Sequence, residues 1–149
     1  MVTCTPILEG YGLTETTAGM CVTTADEKTS GHVGYVKKNC EFKLVDVPDM
    51  DYTSEDRDER GGPAPRGEIC MRGPCVFVGY YKDGTRFFII LEPKTREAID
   101  ADGWFHSGDI GLVMPNNALK IIDRKKNIFK LQHGEYVAPE KIENVYKRN

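Results

Sequence analysis

Near its end the chain carries two short apolar runs, 110–114 and 119–122, separated by a Pro-Asn-Asn sequence at 115–117. Asn tolerates the left-handed backbone that tight hairpin turns need. The pattern therefore predicts a β-hairpin. A two-residue Asn-Asn loop places Asp109 opposite Arg124 on the paired strands.

This predicted pairing brings a carboxylate and a guanidinium together at the open end of the hairpin. Facing residues on paired strands have their Cβ atoms about 5 Å apart. Asp109 and Arg124 therefore suit two arrangements: a plain salt bridge, or a pair of groups around the hydroxyls of a bound ligand. The two residues alone leave both arrangements open.

Short strand-like runs and loops make up the rest of the chain. Segments bounded by Gly, Pro or Asp predict strands at 42–47, 68–72, 76–81, 86–91 and 127–131. Residues 1–30 are rich in Gly and Thr and predict loops and turns. The charged, Gly- and Pro-rich segment 48–66 predicts an exposed loop that buries nothing. After a turn at 132–134, Pro139 opens an amphipathic run that predicts a short C-terminal helix.

The composition limits the classes of protein to consider. The 149 residues carry a formal net charge of -3, which argues against nucleic acid as a partner because non-specific binding needs clustered Lys and Arg. Five cysteines without a CxxC pair and three dispersed histidines argue against a zinc site or a disulfide framework. They favour inert thiols in a reducing, intracellular compartment. No apolar run reaches the ~20 residues of a membrane helix, and the first residues lack a signal-peptide pattern.

Three clusters combine residue types that bind phosphates, sugars or metal ions: 11–16, 103–109, and 123–126 with Lys130. In the first cluster, hydroxyls on a glycine-flanked turn suit a close approach to a phosphate, and the carboxylate of Glu15 suits Mg²⁺. Spacing alone also allows that the threonines cap a turn and that Glu15 is merely solvated.

Taken in this order, the clusters resemble the adenylate-forming superfamily and, within it, the long-chain fatty acyl-CoA synthetases. Residues 11–15 are similar to the superfamily's Tyr-Gly-x-Thr-Glu element, and 107–109 to its Ser/Thr-Gly-Asp element. The stretch 102–126 resembles the fatty acyl-CoA synthetase signature. Similar segments extend the resemblance over nearly all of the chain: 43–46, 66–70, 73–74, 129–131 and 134–143.

The resemblance implies the superfamily's α/β fold, in which a large AMP-binding domain is followed by a small mobile lid. Residues 1–123 correspond to the C-terminal part of the large domain and 124–149 to the start of the lid, with the hinge at Asp123. Within that parent fold, we expect this chain to be a β-rich α+β segment with a hairpin before the hinge and a short C-terminal helix.

The resemblance also implies a reaction in two steps. ATP activates a long-chain fatty acid as an acyl-adenylate, and the acyl group then passes to coenzyme A. In the first cluster, the resemblance places Tyr11 at the adenine of ATP or AMP and Thr14 at the α-phosphate, and it counts Gly12 among the residues that bind the nucleotide. It makes Glu15 a ligand of Mg²⁺.

The hairpin pair takes a defined role in this scheme. The resemblance makes Asp109 an acceptor for the ribose hydroxyls and places Arg124 at the same sugar, so it favours the ligand-binding interpretation over the plain salt bridge. We expect structural roles for His32 and His106, because nothing in their spacing supplies an acid–base partner.

The remaining implied roles lie at the hinge and in the lid. Asp123 matches the hinge residue. Lys126 and Lys130 match lysines that approach the nucleotide, with Lys130 near the acyl phosphate during thioester formation. Gly134 matches a glycine that lets the pantetheine of coenzyme A pass close to the backbone, and Tyr136 an aromatic that reaches the adenine.

The chain departs from the family pattern in two ways. Residues 84–94 form a largely apolar insertion after a Tyr-Tyr-Lys-Asp sequence. The family's phosphate loop, most of its N-terminal domain and its lysine near the far C terminus have no match here. We therefore expect that the chain does not complete the reaction alone.

Two other functions fit the same residues. One is an adenylate-forming ligase with a different acid or a different acyl acceptor, and the other is a non-catalytic nucleotide-binding module. The family further implies that the complete enzyme associates with the endoplasmic reticulum or the mitochondrial outer membrane, through segments outside this chain.

Overall fold

A computed structural model describes residues 5–80, 93–125, 129–130, 136–137 and Tyr146. The predicted strand at 86–91 lies outside these residues. So do most of the insertion at 84–94 and the predicted C-terminal helix, apart from Tyr146.

The described residues form three antiparallel sheets. The first contains β1 (Gly10–Tyr11), β2 (Cys21–Val22) and β3 (Tyr35–Val36), in that order. The second contains β4 (Glu41–Val45), β5 (Arg66–Arg72), β6 (Phe105–Val113) and β7 (Leu119–Arg124), also in chain order. β8 (Phe129–Lys130) pairs with β9 (Tyr136–Val137). Single turns of 3-10 helix cover Thr14–Thr16 and Pro48–Met50, and α1 covers Pro93–Ala98.

Strand β5 lies at the centre of the fold. Its five residues from Gly67 to Met71 are all buried, because β4 and β6 flank the strand and other elements cover its faces. Ile69 and Met71 pack with Phe105 of β6, Leu119 of β7 and Met20. Burying one such side chain stabilises the fold by about 1.5–3 kcal/mol. The predicted β-rich character is confirmed.

Backbone hydrogen bonds join the first sheet to the second. The amide of Val33 donates to the carbonyl of Leu119 at 2.8 Å, and the amide of Leu119 donates to the carbonyl of Gly34 at 2.9 Å. The segment that leads into β3 therefore continues the edge of β7. This connection holds the turn between β1 and β2 beside the four-stranded sheet.

The predicted hairpin is formed by β6 and β7, and Asp109 pairs with Arg124 as expected. The two-residue Asn-Asn loop, however, is wrong. Met114 and Ala118 close the loop with a 2.9 Å hydrogen bond, so three residues lie between them. Asn117, with a φ of 63°, takes the left-handed position that ends such a loop.

A β-bulge explains why the pairing is right although the loop is longer. Near the turn, Gly111 pairs with Ile121, whereas further along Ile110 pairs with Asp123. Ile122 is therefore an extra residue in β7. The extra residue in the strand offsets the extra residue in the loop, and the register at Asp109 and Arg124 is the one that a two-residue loop would give.

The segment predicted as a strand at 76–81 is not one over its described part, 76–80. Side-chain packing holds it instead. The ring of Phe77 meets Phe105 edge to face at 5.8 Å and Tyr80 at 4.8 Å between centroids. The amide of Phe77 donates to the carbonyl of Glu15 at 2.7 Å. The apolar pattern therefore reflects the packing of single rings here and not a strand ladder, since Val78 is 75% exposed.

The expectation that 48–66 buries nothing is also wrong. Tyr52 in this segment is 1% exposed. Its hydroxyl donates to Asp123 Oδ2 at 2.9 Å, and Asp123 is itself 1% exposed. The other carboxylate oxygen of Asp123 accepts the amide of Arg124 at 2.8 Å. A loop that is otherwise polar therefore supplies the partner of a buried carboxylate.

Within the described ranges, no helix is long and apolar enough to cross a membrane.

We expect Tyr52→Phe to lower the free energy of unfolding by about 1–3 kcal/mol, because it leaves a buried carboxylate oxygen without its donor. The ring, which packs under the Arg66 guanidinium, is kept. Urea denaturation measures the change. Tyr35→Phe is the matched control: it removes a hydroxyl that donates to Glu27 at 3.1 Å near the surface and should cost clearly less. Equal losses in the two variants would contradict the role of Tyr52.

Candidate active site

The Ser-Gly-Asp sequence at 107–109 forms a bulge in β6. Its three residues face the single residue Ile69, because the register shifts between Glu68 and Cys70 of β5. Ser107 Oγ donates to the carbonyl of Ile69 at 2.7 Å and accepts the amide of Asp109 at 3.1 Å. Gly108 has a φ of 72°, which residues with a side chain rarely adopt. A β-bulge changes the direction in which nearby side chains point, and this bulge sets the direction of the Asp109 side chain.

Asp109 joins the first and third sequence clusters. Tyr11 in β1 donates its hydroxyl to Asp109 Oδ2 at 2.7 Å, and Arg124 Nε lies 3.2 Å from Asp109 Oδ1. The carboxylate is 6% exposed. Burial, reinforced by the hydrogen bond to Asp109, raises the pKa of Tyr11 far above its usual value. Tyr11 therefore keeps its proton and acts as a donor that fixes the orientation of the carboxylate.

The turn that follows Tyr11 is tightly folded. A Cβ on Gly12 would lie 2.5 Å from the carbonyl carbon of Ala18, so only glycine fits there. The Thr16 hydroxyl accepts the amide of Leu13 at 2.8 Å. Thr17 and Ala18 both adopt the left-handed region, with φ values of 50° and 58°. This conformation is unfavourable for residues other than glycine, so the turn is strained. The predicted phosphate-binding residue Thr14 lies beside it and is exposed.

Glu15 is held at the rim of a cleft. The Tyr80 hydroxyl donates to Glu15 Oε1 at 2.9 Å. Burial, with this hydrogen bond, raises the pKa of Tyr80, so the phenol stays a donor. The sequence gives no sign that Tyr80 would reach Glu15, because the two residues lie 65 positions apart.

Glu68 is a second buried carboxylate of the site, and sequence reasoning did not assign it a role. It is 5% exposed. It accepts the amide of Gly108 at 3.2 Å and lies 3.3 Å from both His106 Nδ1 and Lys125 Nζ. The other ring nitrogen of His106 lies 3.4 Å from Asp100 Oδ2. Glu68 therefore ties the bulge in β6 to the residue that follows Arg124.

Glu15, Glu68, Tyr80 and Arg124 border one cleft of about 540 Å³, and Asp109 lies behind Arg124. Residues from all three sequence clusters line it, together with residues of α1 and Tyr80. Among them are Glu15, Ser107, Gly108, Arg124 and Glu97. Its lining carries carboxylates, among them Glu15, Glu68 and Glu97, together with the Arg124 and Lys125 cations. A space of this size and charge suits a polar ligand with both anionic and hydroxyl groups.

The structure brings some of the predicted site residues together and leaves others apart. Tyr11, Asp109 and Arg124 are in direct contact. Asp123 lies on the neighbouring position of β7 with its side chain buried on Tyr52.

The predicted lid residues are only partly described. Lys130 and Tyr136 face each other across the pairing of β8 and β9. Lys126 and Gly134 lie outside the described residues.

Comparison with known proteins gives a consistent result. The sequence profile of the AMP-binding enzyme family matches residues 1–81. The chain is 57% identical over 142 residues to long chain acyl-CoA synthetase 7, peroxisomal, of Arabidopsis thaliana, covering 95% of this chain and 18% of that protein. It is 52% identical over 141 residues to human long-chain-fatty-acid--CoA ligase 1, covering 95% of this chain and 18% of the ligase.

A solved structure shares the fold. It is the A domain of carboxylic acid reductase from Segniliparus rugosus in complex with AMP and a co-purified carboxylic acid. The TM-score is 0.66 at 33% identity, and the match covers 93% of this chain and 18% of the other. The predicted resemblance to adenylate-forming enzymes is confirmed for the fold, and the chain spans less than a fifth of the length of these three proteins.

We expect Ala18→Gly to raise the free energy of unfolding by up to about 1 kcal/mol, because glycine relieves the left-handed strain in the turn. Urea denaturation measures the change. Ala64→Gly, at a position outside the left-handed set, is the control and should lower stability by about 0.5–1 kcal/mol. A loss of stability in both variants would show that the turn is not strained at Ala18.

Proposed function

The chain belongs to the AMP-binding enzyme family, and from this membership we propose that it supplies part of the nucleotide site of an ATP-dependent ligase. The ligase activates long-chain fatty acids as acyl-adenylates and transfers them to coenzyme A. The observation that carries the proposal is the contact of Tyr11, Asp109 and Arg124, drawn from three separate parts of the chain, at the edge of a polar cleft.

Asp109 suits the ribose of AMP for a physical reason. One carboxylate oxygen is bound by the Tyr11 hydroxyl and the other by the Arg124 guanidinium, so the group is already oriented before a ligand arrives. Each oxygen has further acceptor capacity. Two neighbouring sugar hydroxyls could then donate to it without the cost of ordering a free side chain.

Glu15 suits a magnesium ion that accompanies ATP. Its carboxylate lines the cleft and is positioned by Tyr80. Hard oxygen ligands of this kind bind Mg²⁺, usually together with phosphate oxygens. When bound, the ion would neutralise charge on the leaving pyrophosphate. Thr14, exposed on the same turn, would position the α-phosphate through its hydroxyl.

We assign 1–123 to the large domain and 124–149 to the start of the lid. Asp123 as the hinge is supported by its buried anchor on Tyr52, which fixes the last residue of the large domain. Two positions after Asp123, Lys125 forms an ion pair with Glu68. Lys126 and Lys130 would approach the phosphates, Gly134 would admit pantetheine, and Tyr136 would reach the adenine from the lid.

The acid and the acceptor are supported by the relatives. Two are named as acyl-CoA synthetase or fatty-acid–CoA ligase, which favours a fatty acid and coenzyme A over a carrier protein. One relative is peroxisomal by name, which is consistent with an intracellular enzyme. Association with the endoplasmic reticulum or the mitochondrial outer membrane is proposed for the complete protein only.

We expect the chain to bind AMP and Asp109→Asn to weaken binding about 10- to 100-fold, because a hydrogen bond to a charged group contributes about 1.5–3 kcal/mol. Isothermal titration calorimetry measures the dissociation constant. Asp49→Asn, at an exposed carboxylate, is the control and should bind AMP as the unchanged chain does.

Urea denaturation of Asp109→Asn accompanies the titration, because the substitution also touches Tyr11 and Arg124. An unchanged AMP affinity in a folded variant would overturn the ribose assignment. A nucleotide-binding module that is not part of a ligase would give the same titration result. A second experiment therefore tests the reaction itself.

The second test replaces the matching segment of the 57% identical Arabidopsis relative with this chain. We expect Lys130→Ala in that protein to slow thioester formation by about 100-fold, the effect of removing one group that stabilises developing charge, and to slow acyl-adenylate formation much less. Pyrophosphate release and acyl-CoA formation are measured separately. Lys28→Ala, at an exposed position, should change neither step. Equal loss in both steps would contradict the lid role of Lys130.

A further inference from the structure

Two half-buried cysteines outside the cleft have their sulfur atoms in contact. Cys40 Sγ and Cys75 Sγ are 2.7 Å apart, and both thiols are free. Cys21 and Cys70 differ from this pair, because both are buried and burial raises the pKa of each to about 12. Cys21 and Cys70 fit the expectation of buried thiols, whereas Cys40 and Cys75 are only half-buried.

The sheet itself brings the two cysteines together. Cys40 directly precedes Glu41, which pairs with Arg72 across β4 and β5. The chain then turns after β5 through a 3.0 Å hydrogen bond from the amide of Val76 to the carbonyl of Gly73. This turn returns Cys75 to the start of β4, where a Cβ on Gly73 would lie 3.3 Å from Cys40 Cα. The contact therefore depends on a strand pairing and a closed turn, not on flexible side chains.

We propose that Cys40 and Cys75 form a redox-active dithiol that closes to an intrachain disulfide by exchange with a small disulfide of the glutathione type. The Cys75 thiolate attacks one sulfur of oxidised glutathione, forms a mixed disulfide and releases one glutathione thiolate. Cys40 then gives up its proton, attacks the Cys75 sulfur and releases the second glutathione. Two electrons pass from the cysteines to glutathione, and the two thiol protons end on the released glutathione molecules.

The order of the two attacks follows from the environment of Cys40. Burial, with the hydrogen bond to Cys75, raises the pKa of Cys40 to about 11, although the nearby Lys37 opposes the shift. Cys40 therefore keeps its proton at neutral pH and is a weak attacking thiol in the reduced pair. We therefore assign the first attack to Cys75.

The disulfide would tie together the two segments that hold the strained turn. The Thr17 hydroxyl donates to the carbonyl of Cys75 at 3.3 Å. On the other side, the amide of Cys40 donates to the carbonyl of Lys37 at 2.9 Å, and the amide of Lys37 to the carbonyl of Met20 at 3.0 Å. A bond between the sulfurs closes this path around the turn, and it does so whether or not the turn binds a nucleotide.

Peptide mapping without reductant tests the bridge after the 149-residue chain equilibrates in buffers of graded reduced and oxidised glutathione. We expect a linked pair of peptides containing Cys40 and Cys75, with a mass about 2 Da below that of the two free peptides. Cys40→Ser and Cys75→Ser each abolish the link, and Cys4→Ser leaves it intact. Circular dichroism confirms that the variants fold, and Cys40→Ala replaces Cys40→Ser where folding fails.

Two outcomes overturn the proposal. One is a folded chain that stays fully reduced, or carries only glutathione adducts, in the most oxidising buffer. The other is a bridge from either cysteine to Cys4. In the bridged chain, amide hydrogen exchange at Met20 and Lys37 should be at least several-fold slower than in the reduced chain, because the turn then opens less often. Unchanged exchange would refute the coupling between the bridge and the turn.

Discussion

Three buried carboxylates on adjacent strands organise the described part of the molecule. Glu68 on β5, Asp109 on β6 and Asp123 on β7 are each 6% exposed or less. A buried charge is costly unless it is paired and hydrogen-bonded. Their partners come from β1, from the loop after β4, from the bulge in β6, from the last residue of β7 and from the residue that follows it. Satisfying these three groups therefore requires distant segments to be in place at the same time, and the edge of the cleft is formed as a result.

The sequence was sufficient to predict those features that depend on local chemistry. Asn at the turn and apolar residues on both sides of it predicted the hairpin and the pairing of Asp109 with Arg124, which the structure confirms. The predicted pairing is correct despite the wrong loop length only because Ile122 is an extra residue in β7. No local sequence signal marks Ile122 as a bulge. The strand predicted at 76–81 was wrong over its described part, because an apolar run does not show whether a segment pairs; here Phe77 packs on other rings while Val78 is exposed.

The sequence was insufficient where contacts join residues far apart along the chain. Tyr11 and Asp109 are separated by 98 positions, and Tyr52 and Asp123 by 71. Both tyrosines lie among polar or small residues, where no periodic pattern marks burial. The family resemblance supplied roles for Tyr11 and Asp109 but not their mutual contact, and it supplied nothing for Tyr52, Tyr80 or Glu68. The roles of Tyr52, Tyr80 and Glu68 follow only from the side-chain contacts in the folded structure.

The bulge at Ile122 also determines how the chain leaves the sheet. A bulge bends its strand and increases the local twist, and this one lies directly before Asp123 and Arg124. Directly after the bulge, Tyr52 anchors Asp123 and Glu68 holds Lys125. The placement of Arg124 and Lys125 at the cleft therefore depends on this bulge. A change at Ile122 would therefore move two charged residues of the cleft, although Ile122 itself does not line it.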